Sequence, residues 1–242
     1  EGGLVMARTA ANNIVTLDDA VIPTTSDGLF IIGFHRDSDK PVNVKIIQPD
    51  GTSQLTVLMP EQRDYDIQRI DGLNKNMVTP SESVIARIKS DQAAVAAARQ
   101  QTVTTGDFWQ GIDWPVTGRI SGVFGSQRIL NGNPRQPHYG IDIAAPLGTP
   151  IQAPASGLVT LVNDLYFSGW TVIINHGLGL NSSFLHLDQV TINTGDSVSR
   201  GDNIGTVGST GRSTGPHLDW RLDWLGRRID ASLVARPMPT AG

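Results

Sequence analysis

Gly208-Ser209-Thr210-Gly211-Arg212-Ser213-Thr214-Gly215-Pro216-His217-Leu218-Asp219 sets an imidazole and a carboxylate two positions apart after a glycine-rich approach. Alternation along a β-strand puts side chains i and i+2 on one face, so His217 and Asp219 are expected to point the same way. A second pair, His138 and Asp142 in Pro137-His138-Tyr139-Gly140-Ile141-Asp142, adds nitrogen and oxygen donors of the kind a divalent transition metal prefers. Together the two pairs suggest one metal site.

His138 and Asp142 reach one ion only if the chain between them bends. On an extended strand they lie roughly 13 Å apart, too far for a shared metal with bonds near 2 Å. A helix would bring them together, but Pro137, Gly140 and the β-branched Ile141 and Ile143 oppose one. Gly140 is therefore expected to take unusual dihedrals and turn the segment. In isolation the same residues also read as a surface histidine in a proline-rich loop.

The chain has 242 residues, enough for one or two domains with a substantial core. A formal charge of -4 with no long basic run gives no electrostatic reason to expect nucleic acid. With 26 Gly, 14 Pro and 39% hydrophobic residues, the composition is that of a turn-rich, strand-rich globular protein. No apolar run approaches the roughly 20 residues needed to cross a bilayer. Cysteine is absent, which excludes thiolate ligands and leaves His and carboxylate as metal donors. The first residue is Glu1 rather than Met, as removal of a leader or a trimmed sequence would give.

Punctuation by turn residues divides the chain. Residues 1–76 hold short alternating runs, Gly28 to Phe34 and Val42 to Ile47, the latter closed by Pro49-Asp50-Gly51 before Leu55 to Leu58. These read as hairpins of a small β-sandwich-like domain. Pro80-Ser81-Glu82 is a helix start signal, and Ser83 to Gln101, with Val84, Ile85, Ile88 and Val95, has helical spacing. Residues 77–105 are thus expected to be a helical linker. From 106 to 242, glycine-punctuated strand segments recur at Gly118 to Phe124, Gly157 to Val162, Thr171 to Asn175 and Gly205 to Val207. The fold expected is mainly β: an N-terminal β domain, a connecting helix and a C-terminal antiparallel β domain.

Several further motifs occur in order between about Trp114 and Asp230. They are Phe124-Gly125, His138-Tyr139-Gly140-Ile141-Asp142-Ile143-Ala144-Ala145-Pro146, Gly148-Thr149-Pro150-Ile151-Gln152-Ala153-Pro154, Asn175-His176-Gly177, Phe184-Leu185-His186-Leu187, Gly195-Asp196 and Gly201-Asp202-Asn203-Ile204-Gly205. With the block before His217, this series resembles the lysostaphin-type (LytM-like) zinc metallopeptidase family of peptidoglycan endopeptidases. The resemblance implies a zinc site in a groove across the sheet, with His138 and Asp142 as ligands and the third at position 219. It places His186 and His217 beside the water and the scissile carbonyl. A Lewis-acidic ion would polarise the carbonyl and lower the pKa of water, while the imidazoles take a proton and stabilise the oxyanion. The implied substrate is a cross-link or stem peptide of the cell wall, hence a periplasmic or otherwise extracytoplasmic location. An alternative from the same resemblance is a non-catalytic regulator that binds and activates a cell-wall amidase.

One position departs from the pattern: the family usually has His where this chain has Asp219. A carboxylate oxygen and His Nδ1 both sit one bond beyond Cγ, so Asp219 is still expected to reach the ion. A second carboxylate cancels the remaining positive charge of a dication already bound by one Asp, which weakens it as a Lewis acid unless nearby donors compensate. From the sequence alone, Asp219→His is expected to retain zinc and to hold or raise activity. Of the remaining polar residues, Asp188 reads as solvated, His176 as structural and His35 as a surface residue. Trp109, Trp114, Trp170, Trp220 and Trp224 read as core and groove-edge packing.

Overall fold

The computed structural model describes residues 1–70, 82–103, 106–130 and 132–239. The helix start signal at Pro80-Ser81, the boundary after residue 76 and the far end of the linker at 104–105 lie outside the described residues.

Among the described residues the fold is mainly β and its sheets are predominantly antiparallel. Near the N-terminus, β1 (Leu4–Arg8) pairs with β4 (Leu29–Gly33), while β2 (Ile14–Leu17), β3 (Ala20–Val21), β5 (Val42–Ile47) and β6 (Ser53–Leu58) form a sheet of order β3-β2-β5-β6. The hairpin between β5 and β6 forms where the turn chemistry placed it. Gly51 takes φ 86°, and the Asp50 carboxylate accepts the Thr52 N–H at 2.9 Å.

The strand β7 (Ile67–Ile70) leaves this region and pairs in parallel with β9 (Gln127–Leu130), which also pairs with β10 (Asn133–Pro134). Further contacts tie the first 70 residues to the rest of the chain. Arg36 Nε donates to the Gly125 carbonyl at 2.8 Å, Arg227 Nη1 to the Gly33 carbonyl at 3.0 Å, and Arg63 pairs with Asp230 at 2.9 Å.

The largest sheet contains β8 (Arg119–Gly122), β11 (Ile141–Ala144), β13 (Gly157–Leu165), β14 (Gly169–Gly177), β15 (Leu180–Leu187), β16 (Ser197–Val198) and β18 (His217–Trp224). Its order is β16-β13-β14-β15-β18-β11-β8, with β19 (Arg227–Ile229) added beside β18. The short strands β12 (Pro150–Gln152) and β17 (Asn203–Thr206) pair separately, and the one-turn helix α2 (Ala231–Val234) follows β19.

Strand β18 shows how the sequence fixes the two faces. Leu218, Trp220, Leu222 and Trp224 alternate and are buried in the core, each such side chain contributing roughly 2 kcal/mol or more of apolar burial. Asp219, Arg221 and Asp223 therefore occupy the opposite face. In the register of β15 with β18, Leu185, Ser183 and Asn181 lie opposite those three residues.

On that side of the sheet α1 (Glu82–Arg99), the helix expected from Ser83 to Gln101, packs against β13 and β14 and reaches β15 through Arg99. Its docking is largely polar, unlike the apolar spacing that suggested it. Arg99 Nη2 donates to Ser183 Oγ at 3.2 Å, Asn181 Nδ2 to the Arg99 carbonyl at 3.4 Å, and Asp91 accepts the Tyr166 N–H at 2.7 Å. Ala98 is buried, whereas Ile85 remains exposed.

Candidate metal centre

Three strands assemble the site. In the ladder between β11 and β18, Asp142 lies directly opposite Asp219 and Ala144 opposite His217; on the other side of β18, Leu185 lies opposite Asp219. His138 precedes β11 and is fixed by its backbone, which donates to the Ser126 carbonyl at 2.8 Å and accepts from Gly125 N–H at 2.8 Å.

The chain bends at Gly140, as His138 and Asp142 require. The reason for glycine is not the expected one, since Gly140 is not among the residues with positive φ. A Cβ on Gly140 would instead lie 2.2 Å from Asp219 Oδ1 and 2.7 Å from Arg221 Cγ. Gly122 does the same for the other carboxylate, where a Cβ would lie 2.2 Å from Asp142 Oδ2. Each acid thus sits in a cradle that only a glycine leaves open.

His138 Nε2 lies 3.1 Å from Asp142 Oδ1, and one donor atom from each of His138, Asp142 and Asp219 lies within 4.8 Å of the others. Both His138 Nε2 and Asp142 Oδ1 are buried without a hydrogen-bond partner among the described residues. A buried nitrogen and a buried carboxylate oxygen that face each other without a hydrogen bond are costly unless a proton or a metal cation lies between them. The donor set of one imidazole and two carboxylates suits a divalent transition metal, and the residues present fit such an ion.

Asp219 is buried, and its partner is Arg221. The Arg221 Nε lies 3.0 Å from Oδ1 and 3.1 Å from Oδ2, and Nη2 lies 2.5 Å from Oδ2. Burial works to raise the Asp219 pKa, but the Arg221 charge and hydrogen bonds outweigh it and hold the carboxyl below its ordinary value. Sequence reading missed Arg221. Its signal was present in the spacing Asp219-Trp220-Arg221, which places acid and base on one strand face.

His186 and His217 flank the three donors, their rings 4.9 Å apart, and His217 Nε2 lies 3.8 Å from Asp142 Oδ1. His186 Nδ1 faces the Thr210 carbonyl at 2.8 Å, and His217 Nδ1 faces the Gly215 carbonyl at 2.8 Å. A carbonyl only accepts, so in each neutral ring Nδ1 carries the proton and Nε2 keeps its lone pair. Burial pushes the His186 pKa down, which keeps the ring neutral. His186 also holds φ 66°, a left-handed backbone that is rare outside glycine and concentrates at functional sites.

The residues read as bystanders mostly remain so. Asp188 is exposed. His176 is fully buried, with Nδ1 near the Ser156 carbonyl at 3.0 Å and Nε2 near Ser182 Oγ at 2.8 Å. Trp220 and Trp224 are in the core, while Trp109 and Trp170 are exposed. His35 differs from expectation: it is partly buried and packs edge-on against Tyr139, the neighbour of His138, at 5.4 Å. Two cavities, of about 840 and 360 Å³, flank α1, and neither is lined by a residue of the metal centre.

Residues 136–231 match the model of Peptidase family M23. Over 124 residues the chain is 38% identical to the peptidoglycan DD-endopeptidase ShyA of Vibrio cholerae, covering 51% of this chain and 29% of that protein. Over 121 residues it is 40% identical to the DD-carboxypeptidase/endopeptidase Mpg of Neisseria meningitidis, covering 50% and 28%. The matched stretch is thus less than a third of the length of these curated relatives. A Pseudomonas aeruginosa crystal structure of a candidate peptidase M23 superposes with TM-score 0.75 at 26% identity, covering 97% of this chain and 95% of that one. Residues 136–231 are thus similar to Peptidase family M23 and form a domain of the LytM/lysostaphin type.

Proposed function

We propose that the chain is a zinc-dependent endopeptidase that hydrolyses peptide bonds in peptidoglycan cross-links or stem peptides, and that it acts outside the cytoplasm. The observation that carries this reading is the pair of buried donors that make no hydrogen bond, His138 Nε2 and Asp142 Oδ1, beside a third acid and two histidines whose Nδ1 atoms each face a backbone carbonyl. The names of the relatives ShyA and Mpg support the choice of a peptidoglycan bond.

His138, Asp142 and Asp219 would hold the ion. When bound, zinc supplies Lewis acidity toward the scissile carbonyl and makes an adjacent water easier to deprotonate. His217 Nε2, closest of the flanking nitrogens to Asp142, accepts the proton from the attacking water. That proton passes from His217 to the leaving amine as the C–N bond breaks, while His186, kept neutral by burial and with Nδ1–H held by Thr210, accepts a hydrogen bond from the water at Nε2 and holds it in line with the scissile carbonyl. The two carbonyl contacts fix the tautomers before substrate arrives, so no reorientation is needed during the reaction.

Zinc content and digestion of purified peptidoglycan, measured on the same preparation, test the reading. Stoichiometric zinc with released peptide products supports it. Zinc without digestion but with stimulation of a cell-wall amidase would replace it with the regulatory function, and absence of zinc would remove its basis.

A further inference from the structure

Asp219 and Arg221 lie on the same face of β18, and the guanidinium grips both carboxylate oxygens through Nε at 3.0 and 3.1 Å and Nη2 at 2.5 Å. The pair is seated as a unit. The one missing side chain at Gly140 leaves room for both partners, since a Cβ there would collide with Asp219 Oδ1 at 2.2 Å and Arg221 Cγ at 2.7 Å. The next acid on that face, Asp223, has its own cation, Arg228, at 3.2 Å, so Arg221 is not shared along the row.

Charge explains why such a pair belongs beside the metal centre. Asp142 and Asp219 are direct cross-strand neighbours, and like charges in that position repel. Two carboxylates and a neutral imidazole would cancel the formal charge of a dication, leaving a weaker Lewis acid. A permanent cation on one of the carboxylates returns the net charge to that of a site with one carboxylate. A carboxylate offers about four acceptor positions, so the contacts to Arg221 leave capacity for a further ligand bond.

We propose that Arg221 is a positioning residue of the metal centre, which holds the Asp219 carboxylate in place and offsets its charge, so that Asp219 and Arg221 together act toward a divalent ion as one neutral ligand. This rests on the metal reading given above. It also reverses the expectation drawn from the sequence for Asp219→His: with Arg221 unchanged, the new imidazole leaves a bare guanidinium beside a dication.

The test is a double-mutant cycle in metal affinity, read by competition with a chromogenic chelator using zinc alone, with the apo-protein melting temperature recorded for each variant. The proteins are the unmodified chain, Asp219→His, Arg221→Met, the double variant, and Arg221→Lys with and without Asp219→His. Arg221→Gln replaces Arg221→Met if the latter fails to fold. We expect Asp219→His to weaken zinc binding at least tenfold when position 221 carries a positive charge, and by less than threefold, or not at all, when that position is uncharged. An equal effect of Asp219→His in charged and uncharged backgrounds, to within threefold, overturns the proposal while leaving the metal reading intact. Failure of the unmodified chain to bind zinc overturns both.

Discussion

Asp142 and Asp219 face each other directly across the antiparallel ladder of β11 and β18, one strand position from the core residues Ile143 and Leu218. Two acids in this arrangement repel unless cations sit among them. One cation is Arg221; the other is the proposed metal ion, beside the His138 and Asp142 donors that make no hydrogen bond. Removing the charge of Asp219 while keeping its shape isolates its contribution as a ligand. Asp219→Asn is expected to weaken zinc binding by tenfold or more, because an amide oxygen is a much poorer donor than a carboxylate and Arg221 loses its partner. Calorimetric titration with zinc measures this, and unchanged affinity would show that Asp219 is not a ligand.

Gly140→Ala is expected to weaken the site without unfolding the protein. The added methyl would lie 2.2 Å from Asp219 Oδ1, closer than any real contact allows, so the carboxylate and Arg221 must shift. The overpacking should cost about 1 to 3 kcal/mol in stability and at least a factor of ten in zinc affinity. Thermal melting and zinc titration together check it; unchanged zinc affinity in a folded variant would mean that Asp219 is free to move.

His217→Ala separates proton transfer from metal holding. The ring is oriented by the Gly215 carbonyl and is not part of the three-donor cluster. The variant is therefore expected to retain zinc and to lose about 10²- to 10⁴-fold in hydrolysis, the usual worth of a general base. Loss of zinc along with activity would make His217 a ligand instead.

His176 predicts a pH dependence of stability unrelated to the site. Full burial lowers its pKa from 6.5 to about 4, so the folded state holds the neutral ring while the unfolded chain takes up a proton. Stability from this residue is complete above pH 6.5 and falls as pH drops toward 4. The shift corresponds to a loss of about 3 kcal/mol. Chemical denaturation of the unmodified chain and of His176→Gln at pH 7 and pH 4.5 checks this. The variant should lose less stability on acidification, and equal losses would refute the assignment.

Much of the site was legible because its chemistry is concentrated in short, punctuated motifs. Residue type and spacing single out the pairs His138/Asp142 and His217/Asp219, the resemblance to the lysostaphin-type family selects His138, Asp142 and Asp219 as the donors, and the structure brings those three together. The turn at Asp50-Gly51 and the α1 segment were readable from turn residues and helical spacing for the same local reason. What escaped depended on long-range contact. The role of Gly140 is set by Asp219, 79 positions away in the chain, through steric fit rather than backbone dihedral. His35 packs beside Tyr139 only because the N-terminal strands lie against the later sheet. Arg221 lay in plain sight two residues from Asp219, but its meaning appears only when Asp142 is known to sit opposite.

In the proposed function, His138, Asp142 and Asp219 hold a catalytic zinc ion. The most direct measurement is zinc per chain together with peptidoglycan digestion, for the unmodified protein and for His138→Ala. We expect about one zinc per chain with digestion for the former, and loss of most of the zinc and all digestion for the latter. Full zinc occupancy in folded His138→Ala, or digestion by protein stripped of metal, would contradict it.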